Sequence, residues 1–314
     1  MPKLSVLIPS YNHAQYLEQR IESVLNQSFT DFEIIILDDH STDQSRDIIE
    51  KYRGNNKIRE ILYNQVNSGS TFKQWEKGIS LCQGEYIWIA ESDDWCEPSF
   101  LETVLGGVLE NKDCVLGFCQ SYCLEDTNVI RWQSGAAYLS NCMEGETFIK
   151  KHMVTGTAIF NASMAVWKRD VHSQLSKEFL NFKYCGDWLF WIEICRHGRV
   201  FISGKLLNYF RKHSSDVSGK AIESGDDLLE EIKLFIVLFR RQWIDSNEFM
   251  TALKGLYVGY KGVERRLTPE TRTRIKELLF TEPKLKSELQ SYYRVYHSKH
   301  LIKKMLKALP IFNS

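Results

Sequence analysis

The N-terminal part of the chain alternates between short apolar runs and apolar residues that recur at helical spacing. Four runs predict strands: Leu4–Ile8, Phe32–Leu37, Ile58–Tyr63 and Glu85–Ala90. Two intervening segments place apolar residues on one face of a helix: Leu17, Ile21, Val24 and Leu25, and then Phe72, Trp75 and Ile79. Since the runs show little polar alternation, they suit a parallel sheet covered on both faces. The pattern predicts an α/β fold with a doubly wound, mostly parallel central sheet.

The C-terminal part has a helical pattern instead. Apolar residues from Leu228 to Phe239 form the stripe of one long helix, and the segment from Lys284 to Leu309 is helical and basic. We therefore expect an α/β domain over residues 1–220 and a helical region over residues 221–314. Within the α/β domain, Ser41-Thr42-Asp43-Gln44 predicts a capping box at the start of a further helix.

Polar and acidic residues follow three of the predicted strands. They are Pro9–Asn12 after the first, Asp38–Asp39 after the second and Glu91–Asp94 after the fourth. In sheets of this kind, ligands bind beyond the carboxyl ends of the strands. We expect these three segments to meet at one edge of the sheet and to form the functional site there.

The third of these segments holds three carboxylates in four residues. Carboxylates suit a divalent cation with hard oxygen ligands, and Glu91 and Asp93 can point the same way from an extended turn. The alternative is helix capping, with Asp94 ahead of a helix that starts near Trp95–Pro98. Capping explains one acid but not three, so metal or nucleotide binding stays open beside it.

Composition and charge narrow the classes of partner. Lys and Arg together number 40, as do Asp and Glu, so no overall charge favours nucleic acid. The eight cysteines include no C-x-x-C pair, and we expect reduced thiols in a cytoplasmic protein. The N-terminus does not have the pattern of a signal peptide, and the run Leu234–Phe239 is too short to cross a bilayer.

Four blocks of sequence, in the expected order and spacing, resemble glycosyltransferase family 2. They are Ser5–Asn12, Ile36–Asp43, Asn67–Gly69 and Gly84–Asp94. The resemblance implies a GT-A fold and an inverting, metal-dependent transfer of a sugar from a nucleotide-sugar donor. It further implies a glycan or lipid-linked acceptor and a role in the assembly of surface polysaccharides.

The resemblance also implies a set of residues that bind the donor. They are Pro9, Tyr11, Asn12, Asp39, Gly69, Lys73 and Glu91. Tyr11 is expected near the base, and Asp39 would accept an N–H of the base, which favours uracil and hence a UDP-sugar. Lys73 is expected near the diphosphate. From the residues alone, Asp39 also fits an acid at a helix N-terminus.

The family's D-x-D signature falls on Glu91-Ser92-Asp93 in this chain. The resemblance makes Asp93 a ligand of Mg²⁺ or Mn²⁺, while the Glu at the first position leaves Glu91 between a ribose role and a metal role. His213, in a late basic loop, would approach the metal or the diphosphate. A surface histidine is the alternative for His213.

The catalytic base of the family matches Asp187, in Tyr184–Trp191. Many members have Glu or Gln where Gly186 stands, and a helix N-cap is the alternative role of Asp187. Trp188 and Trp191 are candidates for stacking on a sugar, with the core as the alternative. In relatives, the segment Gly156–Lys168 lies beside the acceptor pocket.

The basic segment at the C-terminus predicts an amphipathic helix. Its apolar face would carry Leu301, Ile302, Met305, Leu306 and Leu309, and its basic face Lys299, Lys303, Lys304 and Lys307. This pattern is typical of a helix that lies on an anionic membrane surface, so we expect peripheral association with the inner face of the cell membrane. Docking of the helix on its own domain is the alternative.

Two other classes of protein remain alternatives to a glycosyltransferase. A nucleotidyltransferase also combines an α/β sheet with a nucleotide and an acidic metal site, but it normally has a Gly-rich loop after the first strand. This chain has Pro9–His13 there, without a glycine. A non-catalytic sugar-nucleotide-binding protein would have little need for Asp93, Asp187 and His213 together.

Overall fold

The computed structural model describes residues 1–126, 129–213, 217–281 and 283–308. The chain forms two compact units, Met1–Ser214 and Ser215–Ser314. Among the described helices, none combines the length and the apolar character needed to span a bilayer.

The described part of the first unit is built on one sheet of ten strands. The strands are β1 (Leu4–Ser10), β2 (Phe32–Asp38), β3 (Ile58–Tyr63), β4 (Tyr86–Ile89), β5 (Trp95–Cys96), β6 (Cys114–Glu125), β7 (Ile130–Gln133), β8 (Ser140–Glu144), β9 (Ala165–Lys168) and β10 (Arg199–Lys212). The helices are α1 (Ala14–Leu25), α2 (Ser45–Lys51), α3 (Thr71–Leu81), α4 (Phe100–Glu110), α5 (Gly145–Phe148) and α6 (Gly186–Cys195). A π-helical turn, Ile149–Met153, continues α5.

The strand order brings three carboxyl ends to one edge of the sheet. The order is β3-β2-β1-β4-β9-β6-β10-β5. The first four of these strands run parallel, as the apolar runs predict. Strand β9 is antiparallel to both β4 and β6, and β6 is parallel to β10. Strands β1, β4 and β10 therefore all point the same way.

The core of this unit explains why the apolar runs show no alternation. Every residue of β1 and β2 is buried, because helices cover the sheet on both sides. The predicted helix face of Phe72, Trp75 and Ile79 is buried on α3, which packs on β1 and β2. Each large apolar side chain buried in this way contributes roughly 1.5–3 kcal/mol.

Two local predictions about helix starts are wrong. Helix α2 begins at Ser45 without a side-chain cap, so Ser41 to Gln44 do not form a capping box. Instead, Ser41 Oγ accepts a hydrogen bond from the backbone N–H of Asn12. The residues after Asp94 form strand β5 rather than a helix, and α4 begins only at Phe100. In both places a tertiary contact uses the side chain that would have capped a helix.

The second unit is helical in its described part. It contains α7 (Val217–Ser224), α8 (Asp226–Arg240), α9 (Ser246–Val263), α10 (Pro269–Leu279) and α11 (Pro283–Ala308). Helix α8 packs on α9 and α10, and α9 packs on α11. The buried residues of α8, among them Ile232 and Phe235, come from the predicted apolar stripe.

Helix α11 covers most of the predicted amphipathic segment. The side chains at 300–308 and the whole of Leu309 lie outside the described residues. The two faces proposed for this helix, from Leu301 to Leu309 and from Lys299 to Lys307, therefore stay a prediction.

Candidate active site

Three side chains able to bind a metal ion converge at the carboxyl edge of the sheet. His13 follows β1, Asp93 follows β4 and His213 follows β10 directly. One ligand atom from each residue lies within 4.8 Å of the other two. Nε2 of His213 is 3.1 Å from Oδ2 of Asp93, and the two imidazole rings pack edge to face with their centroids 5.4 Å apart. Imidazole ligands are typical of transition-metal sites, whereas Mg²⁺ sites are built from oxygen ligands, and the carboxylate of Asp93 suits either kind of cation.

The surroundings keep His13 in the form that binds a metal. Burial is the largest cause that lowers the pKa of His13; nearby His213 acts in the same direction, and Asp93 opposes both. A lowered pKa means a neutral imidazole near pH 7, with a lone pair for a cation. Nδ1 of His13 is 2.7 Å from Oγ of Ser92, which fixes the orientation of the ring.

The three acids after β4 differ in ionisation. Burial raises the pKa of Asp93, but the hydrogen bond from His213 and the charges of His13 and His213 bring it below its ordinary value. Burial, reinforced by the charge of Asp93, raises the pKa of Glu91 to about 8 and that of Asp94 to about 7. Asp93 is therefore the acid of this group whose ionised form its surroundings favour most, and it is also the one that faces the two histidines.

Asp94 holds the turn in place rather than joining the metal group. Its Oδ1 accepts the backbone N–H of Arg211 at 3.0 Å, and its Oδ2 accepts the amide of Asn161 at 2.5 Å. The fully buried Arg20 lies 3.9 Å from the same carboxylate and donates to the carbonyl of Glu91. Nε of Arg211 donates to the carbonyl of Asp93. Two guanidinium groups thus fix the backbone that presents Asp93.

Glu91 is connected to a different part of the unit. Its Oε1 accepts the indole N–H of Trp75, on α3, at 2.8 Å. Its backbone N–H donates to Oγ of Ser163. Glu91 does not belong to the group of metal-binding side chains found among the described residues.

Asp39, the predicted contact of the base, lies in a dense network of hydrogen bonds and is 5% exposed. Its Oδ1 accepts bonds from Asn64, from Gln74 and from the backbone N–H of Ser68, and its Oδ2 accepts the hydroxyl of Ser68. Since Oδ1 already has three donors, an N–H of a base would have to bind at Oδ2. The carboxylate also fixes the loop between β3 and α3.

The other predicted donor residues surround this loop and the end of β1. Tyr11 is 45% exposed and offers its ring at the edge of the sheet, whereas Pro9 is buried within β1. Asn12 has a positive φ of 53°, and its Oδ1 accepts the backbone N–H of Thr42, which connects the first two blocks. Gly69, with φ 69°, forms the turn before α3, and Lys73 is exposed in the first turn of α3.

Asp187, the predicted base, lies in the first turn of α6. It is partly exposed, and its Oδ1 accepts the backbone N–H of Trp188 at 2.8 Å. The N-cap of this helix is Cys185, so Asp187 is not the cap. At Gly186, a Cβ atom would lie 2.5 Å from the ring of Phe72 and 2.6 Å from the carbonyl oxygen of Phe179. Position 186 therefore has no room for the Glu or Gln that many family members have there.

The sequence matches glycosyl transferase family 2 over residues 5–175, which is more than half of the chain. The chain belongs to glycosyltransferase family 2. Among curated relatives, the glycosyltransferase GlyG of Streptococcus pneumoniae is 34% identical over 142 residues, which are 45% of this chain and 46% of GlyG. The poly(ribitol-phosphate) β-N-acetylglucosaminyltransferase TarP of Staphylococcus aureus is 34% identical over 122 residues, which are 37% of this chain and 36% of TarP. The matched region thus spans less than half the length of either relative.

The fold agrees with this family. A crystal structure of residues 1–349 of S. aureus TarS in complex with UDP-GlcNAc resembles this chain with a TM-score of 0.67 at 18% identity. The match covers 88% of this chain and 79% of the TarS chain. The predicted GT-A fold is confirmed, and the nucleotidyltransferase alternative loses its support.

The two tryptophans of α6 belong to the core. Trp188 is 8% exposed and donates its indole N–H to the carbonyl of Met153, and Trp191 is fully buried. A sugar has no access to the face of Trp191. Of the two roles left open by the sequence, the structure shows the core.

The family resemblance did not identify His13 as a possible metal ligand. This residue follows directly on the first family block, at the carboxyl end of β1, where a ligand is expected. That position was the available signal, but a single histidine beside a turn is too common to be read as a ligand. Only the sheet order shows that His13, Asp93 and His213 meet.

Proposed function

We propose that this member of family 2 is an inverting glycosyltransferase that moves a sugar from a UDP-sugar to a glycan or lipid-linked acceptor in surface-polysaccharide biosynthesis. The observation that carries the proposal is the convergence of His13, Asp93 and His213 at the carboxyl edge of the sheet. Residues 1–220 would form the transferase domain. The names of TarP and of the TarS complex support UDP-GlcNAc as the first donor to try.

His13, Asp93 and His213 would hold the divalent cation. When bound, a divalent cation stabilises the charge that develops on the leaving diphosphate. The carboxylate suits Mg²⁺ or Mn²⁺, and because the two imidazoles favour a transition metal, Mn²⁺ is the first cation to test. Arg20 and Arg211 would keep Asp93 in position, because both donate to carbonyl oxygens of its turn.

The donor would bind between the first two family blocks and the loop before α3. Tyr11 would pack on the base, and Oδ2 of Asp39 would accept its imide N–H. Asn12 and Gly69 would shape the two turns around the nucleotide, while the buried Pro9 would act only through the backbone of β1. Lys73 would neutralise part of the diphosphate, and Glu91, connected to Trp75, would face the ribose.

Asp187 would act as the general base. It would take the proton of the acceptor hydroxyl as the oxygen attacks the anomeric carbon from the face opposite the nucleotide, which inverts that centre. Such a base contributes typically about 10²–10⁴-fold to the rate. The bond from the N–H of Trp188 holds the carboxylate at the start of α6.

The test is calorimetric binding of UDP-, GDP- and dTDP-sugars, each with Mn²⁺ and with EDTA. We expect one UDP-sugar to bind with Mn²⁺ and to lose affinity with EDTA or in Asp93→Ala. Binding that does not respond to EDTA would exclude the metal role. A folded protein that binds none of these donors would favour a non-catalytic module.

We also propose that the C-terminal helix brings the protein to an anionic membrane surface. The basic and apolar residues between Lys299 and Leu309 support this role. The full chain and a chain ending at Pro283 would be sedimented with vesicles containing phosphatidylglycerol. Equal sedimentation of the two proteins would exclude the helix as the anchor.

A further inference from the structure

The first unit contains a cavity of about 420 Å³ that is lined by none of the residues assigned to the donor, the metal or the base. Its walls come from β6, from the segment that follows β7, and from the π-helical turn after α5. The lining includes the aromatic side chains of Phe118, Tyr138, Phe148 and Phe160. A volume of this size is in the range of small-molecule sites, which are commonly about 300–1,000 Å³.

Two hydrogen bonds connect the walls of this cavity to the proposed active site. Phe160 precedes Asn161, whose amide donates to Asp94 in the turn that presents Asp93. His152 precedes Met153, whose carbonyl accepts the indole N–H of Trp188, the neighbour of Asp187. The cavity is therefore built onto the metal-bearing turn on one side and onto the helix of the proposed base on the other.

One wall of the cavity carries the cationic Lys151 beside His152, whose pKa is lowered by burial and then by the charge of Lys151. Lys151 and His152 both line it and both are exposed. Among the described residues, Lys151 has neither an ion pair nor a hydrogen bond through its ammonium group, so its charge is available to a ligand. The ring of His152 packs on the ring of Phe148 with the centroids 5.3 Å apart, which holds it at the cavity.

An exposed apolar ridge, consisting of Ile130, Trp132, Tyr138 and Leu139, lies beside the cavity. The four side chains are 53%, 39%, 67% and 80% exposed, respectively. Tyr138 lines the cavity, and the ring of Trp132 packs on that of Phe160 with the centroids 4.9 Å apart. Exposed apolar side chains beside a cavity are typical of a binding surface when they form one patch. Aromatic rings alone would suit a sugar, but Ile130 and Leu139 suit a hydrocarbon chain.

We infer that the cavity and the apolar ridge bind an amphiphilic acceptor, in which a phosphate links an apolar chain to the sugar that is extended. The phosphate would lie against Lys151 and His152, and the chain would lie along the apolar ridge. The sugar would then extend toward Asp187. This inference rests on the proposed function, because it assigns the acceptor of that reaction.

The experiment uses the full chain and three small probes in calorimetry. Farnesyl phosphate carries both chemical features, farnesol has the chain alone, and glycerol 3-phosphate has a phosphate on a polar carrier. We expect farnesyl phosphate to bind at least tenfold more tightly than either of the others. Lys151→Gln should weaken its binding about tenfold, because a hydrogen bond to a charged group is lost. Leu139→Ser should weaken it severalfold.

The matched controls are Lys112→Gln and Leu109→Ser, which replace an exposed lysine and a leucine that is 45% exposed, both outside the cavity lining. They should leave the affinity for farnesyl phosphate within about twofold of the unchanged protein. Equal binding of glycerol 3-phosphate would overturn the role of the chain, and equal binding of farnesol that of the phosphate. A lysine variant that binds like its control would overturn the assignment of the site. Donor binding by the unchanged protein, measured in parallel, separates a failed acceptor assignment from a failed glycosyltransferase assignment.

Discussion

Asp39 and Asp93 lie at the same edge of the sheet, but the surroundings of their carboxylates differ. Asp39, after β2, accepts four hydrogen bonds from side chains and backbone of its own unit. Asp93, after β4, instead faces two histidines that offer ligand atoms within 4.8 Å. The family comparison gave both acids a role toward the ligand. The structure separates a carboxylate that shapes a loop from one that faces two histidines.

The difference shows that the neighbours of a carboxylate determine its role more than its place at the sheet edge does. Around Asp39 the partners are neutral donors, which stabilise the anion and fix the loop before α3. Around Asp93 the partners are imidazoles, and two guanidinium groups bind the carbonyl oxygens of the turn rather than the carboxylate. Removing the charge of Asp93 should therefore mainly lower activity, whereas removing the charge of Asp39 should mainly lower stability.

The largest expected effect is on turnover in Asp93→Asn. Loss of the anionic metal ligand should lower kcat/KM by about 10³-fold or more, since the cation supplies several kcal/mol to the transition state. The measurement is sugar transfer or donor hydrolysis at saturating Mn²⁺. Asp113→Asn is the matched control, because Asp113 is exposed and its positive φ of 59° is tolerated by Asn. Equal kcat/KM values in Asp93→Asn and Asp113→Asn would exclude the proposed metal role of Asp93.

The second effect is on metal affinity in His13→Gln. Removing one of three protein ligands should weaken Mn²⁺ binding about 10²-fold, as judged from the 10–100-fold effects of partners outside the ligand set. Electron paramagnetic resonance of free Mn²⁺ measures this without any substrate. His197→Gln, at an exposed histidine, provides the control. If both histidine variants bind Mn²⁺ like the unchanged protein, His13 is not a ligand.

The third effect is on stability in Asp39→Asn. The new amide cannot accept the hydroxyl of Ser68, so the free energy of unfolding should fall by about 2 kcal/mol. Asp93→Asn without metal should change this free energy less, because burial disfavours the Asp93 anion and offsets part of its interaction with His213. Urea unfolding gives both values, with Asp31→Asn at an exposed position as reference. A larger loss in Asp93→Asn than in Asp39→Asn would reverse the comparison.

The smallest effect concerns an acid in the second unit, Glu231 on α8. Burial, and then the charge of Asp227, raises its pKa to about 7 although no site surrounds it among the described residues. The folded form then holds a proton that the unfolded form has lost, so stability falls as pH rises from about 4.5 to 7 and stays reduced above. Glu231→Gln should be more stable than the unchanged protein at pH 8, and the difference should vanish toward pH 5. Denaturant midpoints across this range provide the measurement, and parallel pH profiles would contradict the assignment.

The sequence predicts the parallel half of the sheet well, because those strands are buried on both faces and their residues are uniformly apolar. It does not predict where β9 inserts between β4 and β6, since antiparallel pairing of a four-residue strand depends on distant parts of the chain. The predicted helix start at Ser41 is wrong because its hydroxyl has a tertiary partner, the backbone N–H of Asn12. Local preference gives way to long-range hydrogen bonds at these places.

For the site, the family resemblance places Asp39, Asp93 and Asp187 near strand and helix ends, but only three-dimensional packing gives their surroundings. The four donors around Asp39 come from residues 64 to 74, and nothing in their spacing identifies the acceptor. His13 and His213 are 200 positions apart and meet because β1 and β10 point the same way. The wall of Lys151 and His152 depends on a π-helical turn, which has no clear pattern in the sequence.

The lack of space at Gly186 constrains which substitutions this protein can accept there. A family-typical Glu or Gln there would collide with Phe72 on α3 and with the carbonyl of Phe179. Position 186 cannot gain a side chain alone: a side chain there is tolerated only after Phe72 has become smaller and the backbone at 179 has moved. Homologues with Glu or Gln at this position should therefore carry a smaller residue in place of Phe72, and the two sites should show epistasis in combinatorial libraries.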